Sequence, residues 1–128
     1  MEIPVCPPDV SIEDNIRTAY MKRNNFNRGG DAFLFSWFYA QVRNHGPWDY
    51  KQRGRHYADF GNFNYGATGR AAGFSTGTLL RAAGVAQLMA GTSEETSWFG
   101  WFSPPFGDDE ADQHWINEGI RYAKRLCY

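Results

Sequence analysis

Arg55-His-Tyr-Ala-Asp-Phe-Gly-Asn-Phe-Asn-Tyr-Gly-Ala-Thr-Gly69 gathers an ionisable cluster, an aromatic cluster and three glycines in one stretch. From Asp59 the pattern predicts a helix to about Ala72. Gly66, Gly69 and Gly73 fall on one side of it, a small-residue face on which another backbone can pack closely. The next segment is the expected partner. His56 and Asp59 have the chemistry of an acid, a base or an ion pair, and Asn62 and Asn64 carry two-sided amides. The same residues also suit a glycine-rich turn feeding a packed helix.

Outward from this stretch the chain reads as helices. Ser11 is placed to cap a first helix, with Glu13 and Asp14 in its positive first turn, Lys22 and Arg23 at its negative end, and Ile12, Ile16, Ala19 and Tyr20 as its buried stripe. Asp31 is placed to cap a second, running to about Asn44 before Gly46-Pro47. Its residues Phe33, Leu34, Phe35, Trp37, Phe38, Tyr39 and Val42 make it apolar nearly all round, so it is expected at the centre. Thr76 is the expected cap of a helix through Met89, where Gly77, Gly84 and Gly91 recur every seven residues. Asp108 or Asp109 is the expected cap of the last helix, with Trp115, Ile116, Gly119, Ile120 and Ala123 inward and Arg121, Lys124 and Arg125 towards its C-terminal end.

The 128 residues fit one domain, 1–128. The expected fold is mainly α: about five helices packed around the second helix and a glycine-faced pair, with the quoted stretch at one end. A short β-hairpin between Trp48 and Phe63 is the alternative there, because Tyr57, Phe60, Phe63 and Tyr65 also have strand propensity.

Composition narrows the function. Five Trp, seven Tyr and ten Phe are more than so small a core can hold, which favours a groove for a polymeric or ring-containing ligand. A net charge of −1 argues against a general polyanion binder, although Arg43, Lys51, Arg53, Arg55 and Arg70 crowd the central region. Cys6 and Cys127, at opposite ends, suit a disulfide staple worth roughly 4 to 5 kcal/mol on the chain-entropy model, or two free thiols. No CxxC or HExxH spacing points to a metal, and no cofactor motif is present. Neither a signal peptide nor a membrane span is visible, so export is expected from a larger parent protein or a secretion apparatus, without stable membrane insertion.

The remaining motifs are Pro47-Trp-Asp-Tyr-Lys51, a loop whose side chains reach outward, with Asp49 and Lys51 also able to pair; Trp98-Phe-Gly-Trp-Phe102, an aromatic lip or a satellite hydrophobic cluster; and Gly107-Asp-Asp-Glu-Ala-Asp112. In the last, Asp109 and Asp112 share a helix face and suit general acid and base work or the holding of a hard cation. Acids in a first turn are also the ordinary complement of the helix dipole.

Four of these pieces together resemble the polymorphic toxin type 44 domain, the bacterial toxin 44 family: Pro7-Pro-Asp-Val-Ser-Ile12 with Asn15; Gly46-Pro-Trp-Asp-Tyr-Lys51; Tyr57 to Gly69; and Gly107 to Asp112 with Gly119-Ile120. They span nearly the whole chain, and the cysteines lie outside the pattern. The resemblance implies an antibacterial toxin, made with a cognate immunity protein and delivered into a competitor.

Three chemistries remain open. The preferred expectation is hydrolysis of the peptidoglycan glycan strand in the periplasm, with Asp59 and Asp112 catalytic and Trp48, Tyr65, Trp98 and Trp101 lining the cleft, assisted by Asp49, Lys51, Asn62, Asn64 and Asp109. The alternative is RNA cleavage without metal in the cytoplasm, using His56, Tyr57, Arg55, Lys51 and Arg70. The third is a non-enzymatic interaction module with Trp98 at its centre.

Overall fold

The computed structural model describes residues 3–25, 31–43, 45–81 and 110–128, with side chains at all of these except 31, 32 and 110–112. Among the described residues its architecture is five α-helices with no strand. Helix α1 (Ile12–Asn25) starts where Ser11 Oγ accepts the Asp14 N–H at 3.2 Å, and it buries Ile12, Ile16 and Ala19. Helix α2 (Asp31–Val42) buries Leu34, Phe38 and Val42, four residues apart on one face.

Helix α2 is not the centre of the fold. Phe33 is 63% exposed and Phe35 38%, so two of its large side chains face water. The centre is α3 (Ala58–Ala71), most of the quoted stretch itself, which buries ten of its fourteen residues. Its asparagines and glycines concealed this: Asn62, Asn64 and Thr68 lie in the core beside Phe60, Phe63 and Tyr65. Thr68 Oγ1 donates to the Asn64 carbonyl and Asn64 Oδ1 accepts from Asn15, while the buried Asn64 Nδ2 has no hydrogen-bond partner among the described residues.

No hairpin forms between Trp48 and Phe63. Two 3-10 turns, Tyr50–Arg53 and Arg55–Tyr57, occupy that region and lead into α3. The Gly54 N–H closes the first on the Lys51 carbonyl, and the Tyr57 N–H closes the second on the Gly54 carbonyl. Backbone groups satisfied within turns are unavailable to a strand ladder. After α3, residues 76–81 form the described part of α4. Its cap is Ser75 rather than Thr76: Ser75 Oγ accepts the Thr78 N–H at 3.1 Å.

Helix α5 (Glu110–Arg125) buries Ile116, Gly119, Ile120 and Ala123 and is the close partner of α3. A Cβ on Gly66 would strike the Ile116 carbonyl, and one on Gly119 would strike the Phe63 carbonyl. Each glycine therefore meets the other helix's backbone. Among the described residues, the expected pairing of α3 with the following segment is made by Gly69, which meets the Leu79 side chain, and by Tyr65, whose hydroxyl donates to the Leu79 carbonyl. Gly77 has open space, and Gly84 and Gly91 lie outside the described residues.

Because Phe63 faces Gly119 and Gly66 faces Ile116, the two helices run antiparallel. Extending that register sets position 112 level with Arg70 and position 59 level with the last turn of α5.

Candidate functional site

The exposed chemistry gathers where the two 3-10 turns meet α3. Arg55, His56 and Asp59 are exposed and Tyr57 is half-buried. The His56 and Tyr57 rings lie 4.0 Å apart between centroids. A Cβ on Gly54 would come within 2.6 Å of His56 Cε1, so the imidazole rests over that glycine. Asp59 stands in the first turn of α3, where a carboxylate complements the positive helix end.

A partly buried polar network adjoins this rim. The Asn15 amide of α1 donates to the Tyr50 hydroxyl at 2.8 Å and to Asn64 Oδ1 at 2.9 Å, tying α1, α3 and the first 3-10 turn together. Burial, partly offset by the Asn15 hydrogen bond, raises the Tyr50 hydroxyl above the ordinary tyrosine range. Arg53 pairs with Asp9 at 2.6 Å and lies over the Tyr50 ring. Asp49 Oδ2 accepts the His45 N–H at 2.7 Å, and its other oxygen lies 3.7 Å from Lys51 Nζ. This is no surface pair, since the Asp49 side chain is only 3% exposed. The carboxylate holds the tight turn in which His45 takes a left-handed φ of 66°.

The expected site residues divide sharply. Asp49, Lys51, His56, Tyr57 and Asp59 share the segment around the two turns. Trp48 is buried edge-on against Trp37, with centroids 5.6 Å apart. Tyr65 is buried too, and its hydroxyl donates to the Leu79 carbonyl at 2.6 Å; burial pushes that hydroxyl far above the ordinary tyrosine range. Asn62 and Asn64 are core residues. Asp112 belongs to the first turn of α5, and its backbone is level with Arg70. That is eleven helical residues from Asp59, or about 16 Å along α3. The helix pairing therefore does not bring Asp59 and Asp112 together. Trp98, Trp101 and Asp109 lie outside the described residues.

Cys6 and Cys127 are free thiols. Cys6 Sγ donates to the Val10 carbonyl at 3.2 Å, and burial, then the charges of Glu13 and Asp9, raise its pKa. Among the described residues no group of three or more His, Cys, Asp or Glu could hold a metal ion, and no helix is long and apolar enough to cross a membrane.

Sequence reading assigned no role to Gly54, Asn15 or Tyr50. Asn15 and Tyr50 lie within the motif pieces, yet their function is a three-way contact between segments far apart in the chain. Gly54 sits in Arg53-Gly-Arg55, where a glycine between two arginines signals only a turn.

A sequence model of the family described as Bacterial toxin 44 matches residues 49–125 of the chain. This interval holds both 3-10 turns, α3 and all of α5, so the match coincides with the rim and the helix pair beneath it. No curated protein and no solved structure matches.

Proposed function

The chain belongs to the bacterial toxin 44 family, and from that premise we propose that this toxin domain cleaves RNA in the cytoplasm of a competing bacterium, with His56, Tyr57 and Arg55 as its reacting groups. The observation that carries this reading is the exposed imidazole of His56 held beside the Tyr57 ring and next to Arg55. A cognate immunity protein protects the producer.

In the reaction His56 takes the proton from a 2′-hydroxyl, and the freed oxygen forms a bond to the adjacent phosphorus. The bond from phosphorus to the 5′-oxygen breaks, and the Tyr57 hydroxyl gives that oxygen its proton. The products are a 2′,3′-cyclic phosphate and a 5′-hydroxyl. The Arg55 guanidinium stabilises the extra negative charge at phosphorus. Lys51 is committed to Asp49 and supports the turn. Arg70 stands at the far end of α3 and takes no part.

Two observations weigh against cleavage of a glycan strand by Asp59 with Asp112. Carboxylates sharing that task stand about 5 to 9.5 Å apart, well short of the separation along α3. The aromatic residues expected to line a sugar cleft, Trp48 and Tyr65, are core.

The test is expression in bacteria with and without a periplasmic export signal, beside His56→Ala. Killing from the cytoplasm is expected, with RNA loss before lysis, cyclic-phosphate ends on the fragments and a loss of about 100-fold or more for His56→Ala. Killing only on export, with rounding and lysis and with dependence on Asp59, would transfer the assignment to the wall polymer.

A further inference from the structure

We propose that Gly54 is a positioning residue that fixes the imidazole of His56 for reaction. The inference rests on the reading of His56 as the acid–base group.

Three observations meet at this glycine. Its backbone, at φ 154° and ψ 144°, has a positive φ that side-chain-bearing residues rarely adopt. It is the joint of the two 3-10 turns, donating its N–H to the Lys51 carbonyl at 3.1 Å and accepting the Tyr57 N–H at 3.0 Å. The space its missing side chain leaves is filled by the His56 ring, which a Cβ would approach to 2.6 Å at Cε1 and 2.9 Å at Nδ1.

An exposed histidine ordinarily moves among its staggered rotamers. Here the ring lies over the glycine backbone and against the Tyr57 ring, with centroids 4.0 Å apart. Those contacts narrow its range without burying it. A base held in its reacting orientation avoids an ordering cost at each turnover, and a displacement of about 1 Å at such a group lowers rates about 100-fold. Gly54→Ala introduces both a strained backbone and a methyl group in the space of the ring. Gly54 is half-buried, and the three heavy atoms nearest to its added methyl group all belong to the His56 ring, so the methyl group acts directly on the imidazole.

The test compares wild type, His56→Ala, Gly54→Ala and the double variant for cleavage of a labelled mixed-sequence oligoribonucleotide. Gly61→Ala, at a glycine with open space around it, serves as the control. Nuclear magnetic resonance reads the His56 ring protons, which carry the ring-current shift of Tyr57.

A fall of about 100-fold in kcat is expected for Gly54→Ala, with KM within about twofold. The His56 ring signals should move, Gly61→Ala should retain activity, and the double variant should be no slower than His56→Ala alone. With His56→Ala inactive, wild-type turnover or unmoved ring signals in Gly54→Ala overturns the positioning role. So does a double variant whose defects multiply. An active His56→Ala instead overturns the catalytic reading on which the inference rests.

Discussion

Glu13 and Tyr122 illustrate how one bond joins distant parts of this chain. The Tyr122 hydroxyl of α5 donates to Glu13 Oε1 of α1 at 2.6 Å. The Tyr122 hydrogen bond is the largest influence holding Glu13 below its ordinary value of 4.5, while burial and then the Glu13 interaction push Tyr122 up to about 12. The lowered carboxyl contributes stability that is present above pH 4.5 and lost as pH falls through its folded value. The raised phenol contributes stability that is present below its ordinary pH 10 and lost as pH rises through about 12. Tyr122→Phe should therefore lower the unfolding free energy at pH 7, by less than about 1 kcal/mol for so exposed a contact, and the gap from wild type should be narrower at pH 3. Parallel urea titrations at the two pH values check this; an equal gap at both would assign the effect to packing. The sequence made Glu13 legible as a first-turn acid. Its partner was not legible, because no local pattern says that α5 lies beside α1.

At the scale of elements, the glycines of α3 and α5 separate into two kinds. Gly66 and Gly119 lie against carbonyls of the opposite helix, which cannot move aside as a flexible side chain can, whereas Gly61 has open space around it. Gly119→Ala should destabilise by about 3 kcal/mol or more through overpacking. Gly61→Ala should instead stabilise by about 0.5 to 1 kcal/mol, because alanine loses less backbone freedom in a helix. Thermal unfolding of both variants checks the contrast, and similar losses at the two sites would contradict the packing account. Helix existence and a small-residue face on α3 were legible from spacing. The partner was misread because a glycine face states only that something approaches closely, and Gly119 had been counted simply as part of an apolar stripe. For the same reason Asp59 and Asp112 were joined on paper: each suits a first turn, but only the antiparallel register reveals the length of helix between them. His56, Tyr57 and Asp59 lie together at the start of α3 because they are neighbours in sequence.

Across the whole molecule, the core is divided between segments far apart in the chain. Phe60, Phe63 and Ala67 of α3 are fully buried, and Ile116 and Ala123 of α5 are buried with them. A chain ending at residue 109 should show no cooperative unfolding transition and should bind a hydrophobic dye, as measured by calorimetry and fluorescence. A sharp transition in that truncated chain would show that α1 to α4 hold together alone. The backbone contact between Phe63 and Gly119 spans 56 residues, so ordering the intervening chain precedes the reward of packing. On a ribosome, which releases the chain from its N-terminal end, α3 emerges well before α5. The nascent toxin thus passes through an interval with its principal helix uncovered, during which the turns that carry His56 have no finished support. Synthesis itself imposes a delay between making the two turns and completing the helix pair on which they rest.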